Sequence, residues 1–225
     1  MKTGKYIPLG TYNDVKIGYG TIDYKNLQLD LNKTAFEIKK QIRAFAFRPY
    51  QLLSFNNCLI THAQITNQKS LERAGKIIDE DEFSFLISTI DYNIVLYKDK
   101  LNMLLDAAEK GNLDTLKKLK SKNYSLTDKN NKGWDALIVA AYYEQFDVCK
   151  WLIKNGADPN SINYNGTSVL MYAMTAAGNS NNLKVLNLLI KAGADIGHSD
   201  YSRVSIMDYA IKNGNKKVID FLQSN

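Results

Sequence analysis

From about residue 100 to the end of the 225-residue chain, the apolar positions fall into pairs of short helical stripes. Leu104…Ala107-Ala108, Leu137…Ala140-Ala141, Leu170…Ala173 and Met207…Ala210 each set small and aliphatic side chains at helical spacing. A second stripe follows each of them, over 113–119, 146–153, 183–190 and 217–222. The unit holding each pair recurs. Lys100 to Gly133 and Gly133 to Gly166 are 33 residues each, and Gly166 to Arg203 is 37. The polar stretch Gly178-Asn179-Ser180-Asn181-Asn182 predicts a loop insertion that absorbs the excess. Two units close on Asn155-Gly156-Ala157-Asp158 and Ala192-Gly193-Ala194-Asp195, whose glycines sit where a helix C-cap turns left-handed.

The first 98 residues follow another rhythm. Thr34-Ala35-Phe36-Glu37 is a capping-box start for a helix over 34–45, with Phe36, Ile38, Ile42 and Phe45 as its apolar face. Arg48-Pro49 ends it, because a residue before proline is pushed out of the helical region. Strand-like runs follow at 52–55, 58–65, 82–90 and 93–98, with Asp91-Tyr92-Asn93 as the turn of a hairpin between the last two. The predicted fold class is α+β: a small β-rich domain over residues 1–98, then an all-α repeat solenoid over 99–225.

Composition narrows the chemistry. Hydrophobic residues make up 45% and charged residues 23%, an ordinary globular balance. No run approaches the ~18–20 apolar residues of a membrane span, and Met1-Lys2-Thr3-Gly4-Lys5 opens no signal-type apolar region, so a cytoplasmic protein with no membrane partner is expected. The net charge of +6 is spread without a basic block, so nucleic acid is not an expected partner. Two cysteines (Cys58, Cys149) and two histidines (His62, His198) leave too few ligands for a structural zinc site and too few bases for a nucleophilic triad. No metal and no catalytic residue is expected in this chain.

The 33-residue period and the two Gly-Ala-Asp segments resemble ankyrin repeats, four of them, the last one short. The family's G-x-T-P-L-H-x-A-A pattern is only partly kept, as Gly133-Trp134-Asp135-Ala136-Leu137 and Gly166-Thr167-Ser168-Val169-Leu170. In front of them, Thr21-Ile22-Asp23-Tyr24, then Ile42-Arg43-Ala44-Phe45, then Gly75-Lys76-Ile77-Ile78 before a two-strand run resemble the C-terminal half of formyltetrahydrofolate-dependent formyltransferases. Ala46-Phe47-Arg48-Pro49-Tyr50-Gln51 stands where methionyl-tRNA formyltransferases have Asn-Pro-Trp-Pro, and is more similar to the nucleotide-sugar N-formyltransferases, some of which carry ankyrin repeats. The resemblance implies a complete enzyme that moves a formyl group from N10-formyltetrahydrofolate to an amino-dideoxysugar nucleotide of the kind used in O-antigen and lipopolysaccharide assembly. Its asparagine, histidine and aspartate belong to a Rossmann-like half that neither His62 nor His198 matches. This chain therefore needs no cofactor of its own, is not expected to catalyse alone, and has a catalytic formyltransferase domain as one expected partner. By the same resemblance, Arg48 and Tyr50 would help hold the nucleotide-sugar.

Ankyrin stacks bind through the turn fingers and the exposed side of the first helices. Counting outward positions from Gly133 and Gly166, Lys129, Lys132, Trp134, Tyr142, Tyr143 and Tyr164 are expected to converge on one site. An aromatic ring that stacks a base, beside lysines that neutralise a diphosphate, suits a nucleotide-sugar such as a dTDP-amino-dideoxysugar. The same rings equally suit a protein partner, in which case the chain is an interaction adaptor with no enzymatic role.

Overall fold

The computed structural model describes residues 28–46 and 52–224. Helix α1 (Ala35–Phe45) starts where the capping box is: Thr34 accepts from the Glu37 amide and Glu37 reaches back to the Thr34 amide. Its buried stripe is Ala35, Ile38 and Ile42, an i, i+3, i+7 set. Phe36, one position off that stripe, is 63% exposed with the Lys40 ammonium 5.8 Å from its ring, so it leaves the expected apolar face.

Five strands follow, β1 (Leu53–Phe55), β2 (Cys58–Lys69), β3 (Ile77–Glu80), β4 (Ser84–Ile87) and β5 (Tyr92–Lys98). They form one antiparallel sheet in the order β1-β2-β5-β4-β3. The expected β4–β5 hairpin is present. Its Asp91 does more than turn the chain: Oδ1 accepts from the Tyr92 amide and, across 56 residues, from the Ala35 amide at 2.8 Å. That bond to Ala35 is the main reason its carboxyl pKa lies below the usual range. Helix α1 packs on β2, and Ile38, Ile42, Leu53, Ile60, Phe85, Ile87, Ile94 and Leu96 make the core.

The repeats are four helix pairs: α2 (Leu101–Glu109) with α3 (Leu113–Ser121), α4 (Ala136–Tyr142) with α5 (Phe146–Lys154), α6 (Val169–Ser180) with α7 (Lys184–Lys191), and α8 (Ile206–Asn213) with α9 (Lys216–Gln223). The first helices stack on one another in series, α2 on α4 on α6 on α8. The four-residue excess is not a loop. It extends α6 to 12 residues against 7 in α4, about one added turn. Asn181 then closes the helix with φ 61°, and the side chain of Asn215 donates to the Gly178 carbonyl at 2.8 Å.

The sheet and the first repeat share a packed seam. Phe83, in the β3–β4 connection, is buried in the solenoid core with Leu104, Ala107 and Leu116. Tyr124 shares its hydroxyl proton between the carbonyls of Phe83 (2.9 Å) and Lys98 (2.7 Å), and burial holds its phenol pKa well above the ordinary value. Lys118 and Lys122 pair with Glu82 and Asp81 across the seam, each at 3.5 Å.

His62 on β2 stacks on Tyr97 (4.2 Å, 7° between planes) and meets Tyr124 edge-on. Its Nδ1 pairs with Thr61 Oγ1 at 2.8 Å, while Nε2 is buried without a hydrogen bond among the described residues. Desolvation lowers its pKa below 6.5, only partly offset by the Lys122 backbone and the Asp128 carboxylate. The folded state thus binds fewer protons than the unfolded chain just below that value. The stability His62 contributes is present in full above about pH 6.5 and is lost as pH falls towards its folded pKa. Urea titrations at pH 7.5 and 5.5 are expected to show a larger acid loss for the native chain than for His62→Gln.

Candidate functional site

The fingers between repeats are built by one device used three times. Asn130, Asn163 and Asp200 each stand three residues before the turn position, and each Oδ1 accepts two backbone amides: Lys132 and Trp134, Asn165 and Thr167, Ser202 and Val204. The turn positions themselves, Gly133, Gly166 and Arg203, are all left-handed, with φ 80°, 78° and 63°. Two residues on, Asp135, Ser168 and Ser205 cap α4, α6 and α8. The N-cap that the family's threonine would supply is kept, with other oxygens.

The second finger presents Trp134. Its indole packs against Tyr172 (ring centroids 5.0 Å) and Tyr142 (5.9 Å), and Nε1 donates to the Tyr172 hydroxyl at 2.8 Å. Asn163 Nδ2 donates to the same oxygen at 2.8 Å, which leaves the hydroxyl hydrogen of Tyr172 for a further acceptor. The tryptophan is thus half-buried and tethered, not the uncovered ring that its outward position implied. The Lys132 ammonium lies 5.7 Å from the indole centroid. Tyr143 meets Tyr142 edge-on at 5.3 Å, and its phenol pKa is raised chiefly by the charge of the Glu109 carboxylate.

The six expected site residues do not converge. Lys132, Trp134 and Tyr143 open on a cleft of about 300 Å³ that Asp106 and Glu109 of α2 also line, with the Tyr142 ring tilted beside the tryptophan. Lys129 and Tyr164 open instead on a cavity of about 460 Å³ at the seam, with Thr61, His62 and Tyr124. The Lys129 ammonium is held by the Ile162 carbonyl at 2.6 Å, and the backbone and ring of Tyr164 close over Gly133. The physical reason is the β domain, which stands against this side of the fingers and gives them a second wall. Arg48 and Tyr50 lie outside the described residues. Tyr172, Asp106 and Glu109 were missed. A signal for the first existed: Tyr172 and Tyr209 occupy the same place, six residues after Gly166 and Arg203, and Tyr209 donates to Asp200 at 2.7 Å.

Cys149 and the two histidines are placed away from this cleft. Burial pushes the Cys149 thiol up to about 12, His62 is enclosed at the seam, and His198 Nε2 bonds the Gly166 carbonyl at 2.7 Å, tying two fingers together. Among the described residues, no helix is long and apolar enough to cross a membrane.

The family described as ankyrin repeats (3 copies) matches residues 80–163 and 104–200, more than half of the chain. The chain belongs to the ankyrin-repeat family. In front of its ankyrin repeats, residues 21–102 match the formyl transferase C-terminal domain. The chain is also similar to a methionyl-tRNA formyltransferase of Ureaplasma urealyticum serovar 10, with 35% identity over 86 residues, 37% of this chain. It spans 28% of that relative's length. A formyltransferase C-terminal domain is thus joined to an ankyrin stack whose first two repeats line the Trp134 cleft.

Proposed function

We propose that this chain is the non-catalytic C-terminal portion of a nucleotide-sugar N-formyltransferase, with an accessory nucleotide-sugar site on its ankyrin repeats. The complete cytoplasmic enzyme would transfer a formyl group from N10-formyltetrahydrofolate to an amino-dideoxysugar nucleotide, a step towards O-antigen and lipopolysaccharide. In this reading donor binding and chemistry belong to a catalytic half outside the described residues, because the chain spans only the C-terminal formyltransferase domain and the repeats.

The observation that carries the reading is the tethered Trp134 indole beside Lys132, in a cleft of small-molecule size, on a chain that also bears a formyltransferase domain. A base stacked on such a ring gains about 1–3 kcal/mol. Holding the indole through Tyr172 and Asn163 lowers the ordering cost of that stack. With Lys129 turned to the seam, Lys132 is the lysine that lines this cleft for a diphosphate.

Calorimetric titration of the full chain with dTDP, against UDP as a base control, tests this. Saturable dTDP binding that disappears in Trp134→Ala is expected. No heat up to millimolar dTDP would overturn the nucleotide site and return the fingers to the adaptor reading.

A further inference from the structure

The cleft beside Trp134 carries both signs of charge. Lys132 stands on the finger side, and Asp106 and Glu109, three positions apart on one face of α2, stand on the other. A diphosphate alone would gain Lys132 and face two carboxylates. A ligand with a phosphate at one end and an ammonium at the other satisfies both walls.

We propose that Glu109, which lines the cleft with Tyr143 and Trp134, recognises the free amino group of the bound ligand, so that the site separates an amino-sugar nucleotide from the same sugar formylated on nitrogen. The inference rests on the nucleotide-sugar reading of this cleft and adds which chemical state of the sugar it selects.

Three features support it. Lys110 pairs with Asp106 at 2.6 Å and feels Glu109 only through the weaker pull of its charge, so Glu109 is the less compensated of the two carboxylates. Its carboxylate lines the cleft together with Tyr143, whose phenol pKa its charge raises, and it offers acceptor positions to an ammonium. The main chain beneath it is fixed, since Gln145 Nε2 donates to the Glu109 carbonyl at 2.8 Å. Two aromatic rings and a carboxylate lining one cleft form a setting that favours cations, through ring quadrupole and charge together. An aliphatic amine is protonated near neutral pH and meets that setting as a cation. N-formylation turns it into a neutral amide with a single N–H, and both attractions are lost.

The test is calorimetric titration of the full chain with three ligands: dTDP, a dTDP-linked amino-dideoxyhexose and its N-formyl derivative. The amino form is expected to bind about tenfold more tightly than the formyl form. Glu109→Gln is expected to erase that difference while leaving dTDP affinity and the melting temperature in place. Equal affinity of the two sugars, with dTDP binding intact and lost in Trp134→Ala, would overturn the amine selection and leave the nucleotide site standing. If dTDP itself does not bind, the nucleotide reading fails. The free aminosugar methyl glycoside, with its N-formyl form as control, then decides the amine reading by chemical-shift titration, and absence of Glu109-dependent shifts overturns it.

Discussion

Replacing Phe83 by alanine is expected to lower the stability of sheet and solenoid together, by about 3–5 kcal/mol. Phe83 comes from the β3–β4 connection, yet at 3% exposure it is part of the solenoid core with Leu104, Ala107 and Leu116. The Lys118 ammonium stands 4.4 Å from its ring, and its carbonyl accepts from Tyr124, so the truncation leaves a cavity that the surrounding backbone cannot easily collapse. Solenoids need a cap on their terminal repeats, and here the β domain covers the first one. A loss of that size is a large share of the 5–15 kcal/mol typical of a folded domain. Urea denaturation followed by far-UV circular dichroism is the check. One cooperative transition, shifted to lower urea, is expected; a change below about 1 kcal/mol would mean that the seam does not hold the two parts together.

The second large effect is expected at Gly133. Its φ of 80° is left-handed, which costs a side-chain-bearing residue about 1–2 kcal/mol. A Cβ there would also lie 2.4 Å from the Tyr164 amide nitrogen and 2.9 Å from its Cγ, so the third finger must move. Gly156, at φ 94° with nothing within 4 Å of a Cβ, pays the backbone cost alone. Gly133→Ala is therefore expected to cost about 2–4 kcal/mol and Gly156→Ala about 1 kcal/mol. Since Gly133 separates Lys132 from Trp134, the first substitution should also weaken ligand binding while the second does not. Equal destabilisation by the two would contradict the close approach of the second and third fingers.

Much of this arrangement is legible in the chain. The helix pairs follow from stripes of small and aliphatic residues, and the fingers from a turn residue at fixed period, because a repeat makes its contacts with copies of itself. Helix α1 begins at its capping box for a purely local reason. What was misread depends on tertiary context. The run Gly178 to Asn182 has loop composition, but four residues make about one helical turn, and the Asn215 side chain holds the Gly178 carbonyl of the lengthened helix. Strand β3 is exposed along its whole length and carries no alternation to read. Lys129 and Lys132 are both outward by repeat position; which wall each faces is decided by the β domain beside the fingers, and no period encodes that. Glu109 belongs to the first repeat, and only the fold brings it into one cleft with Tyr143 and Trp134.

The most direct measurement is a crystal structure of the full chain with a dTDP-linked amino-dideoxyhexose, which shows where a nucleotide-sugar sits. Density is expected in the Trp134 cleft, with the base on the indole, the phosphates towards Lys132 and the amine at Glu109. Ligand density in the seam cavity beside Lys129 and Tyr164, with the Trp134 cleft empty, would contradict it.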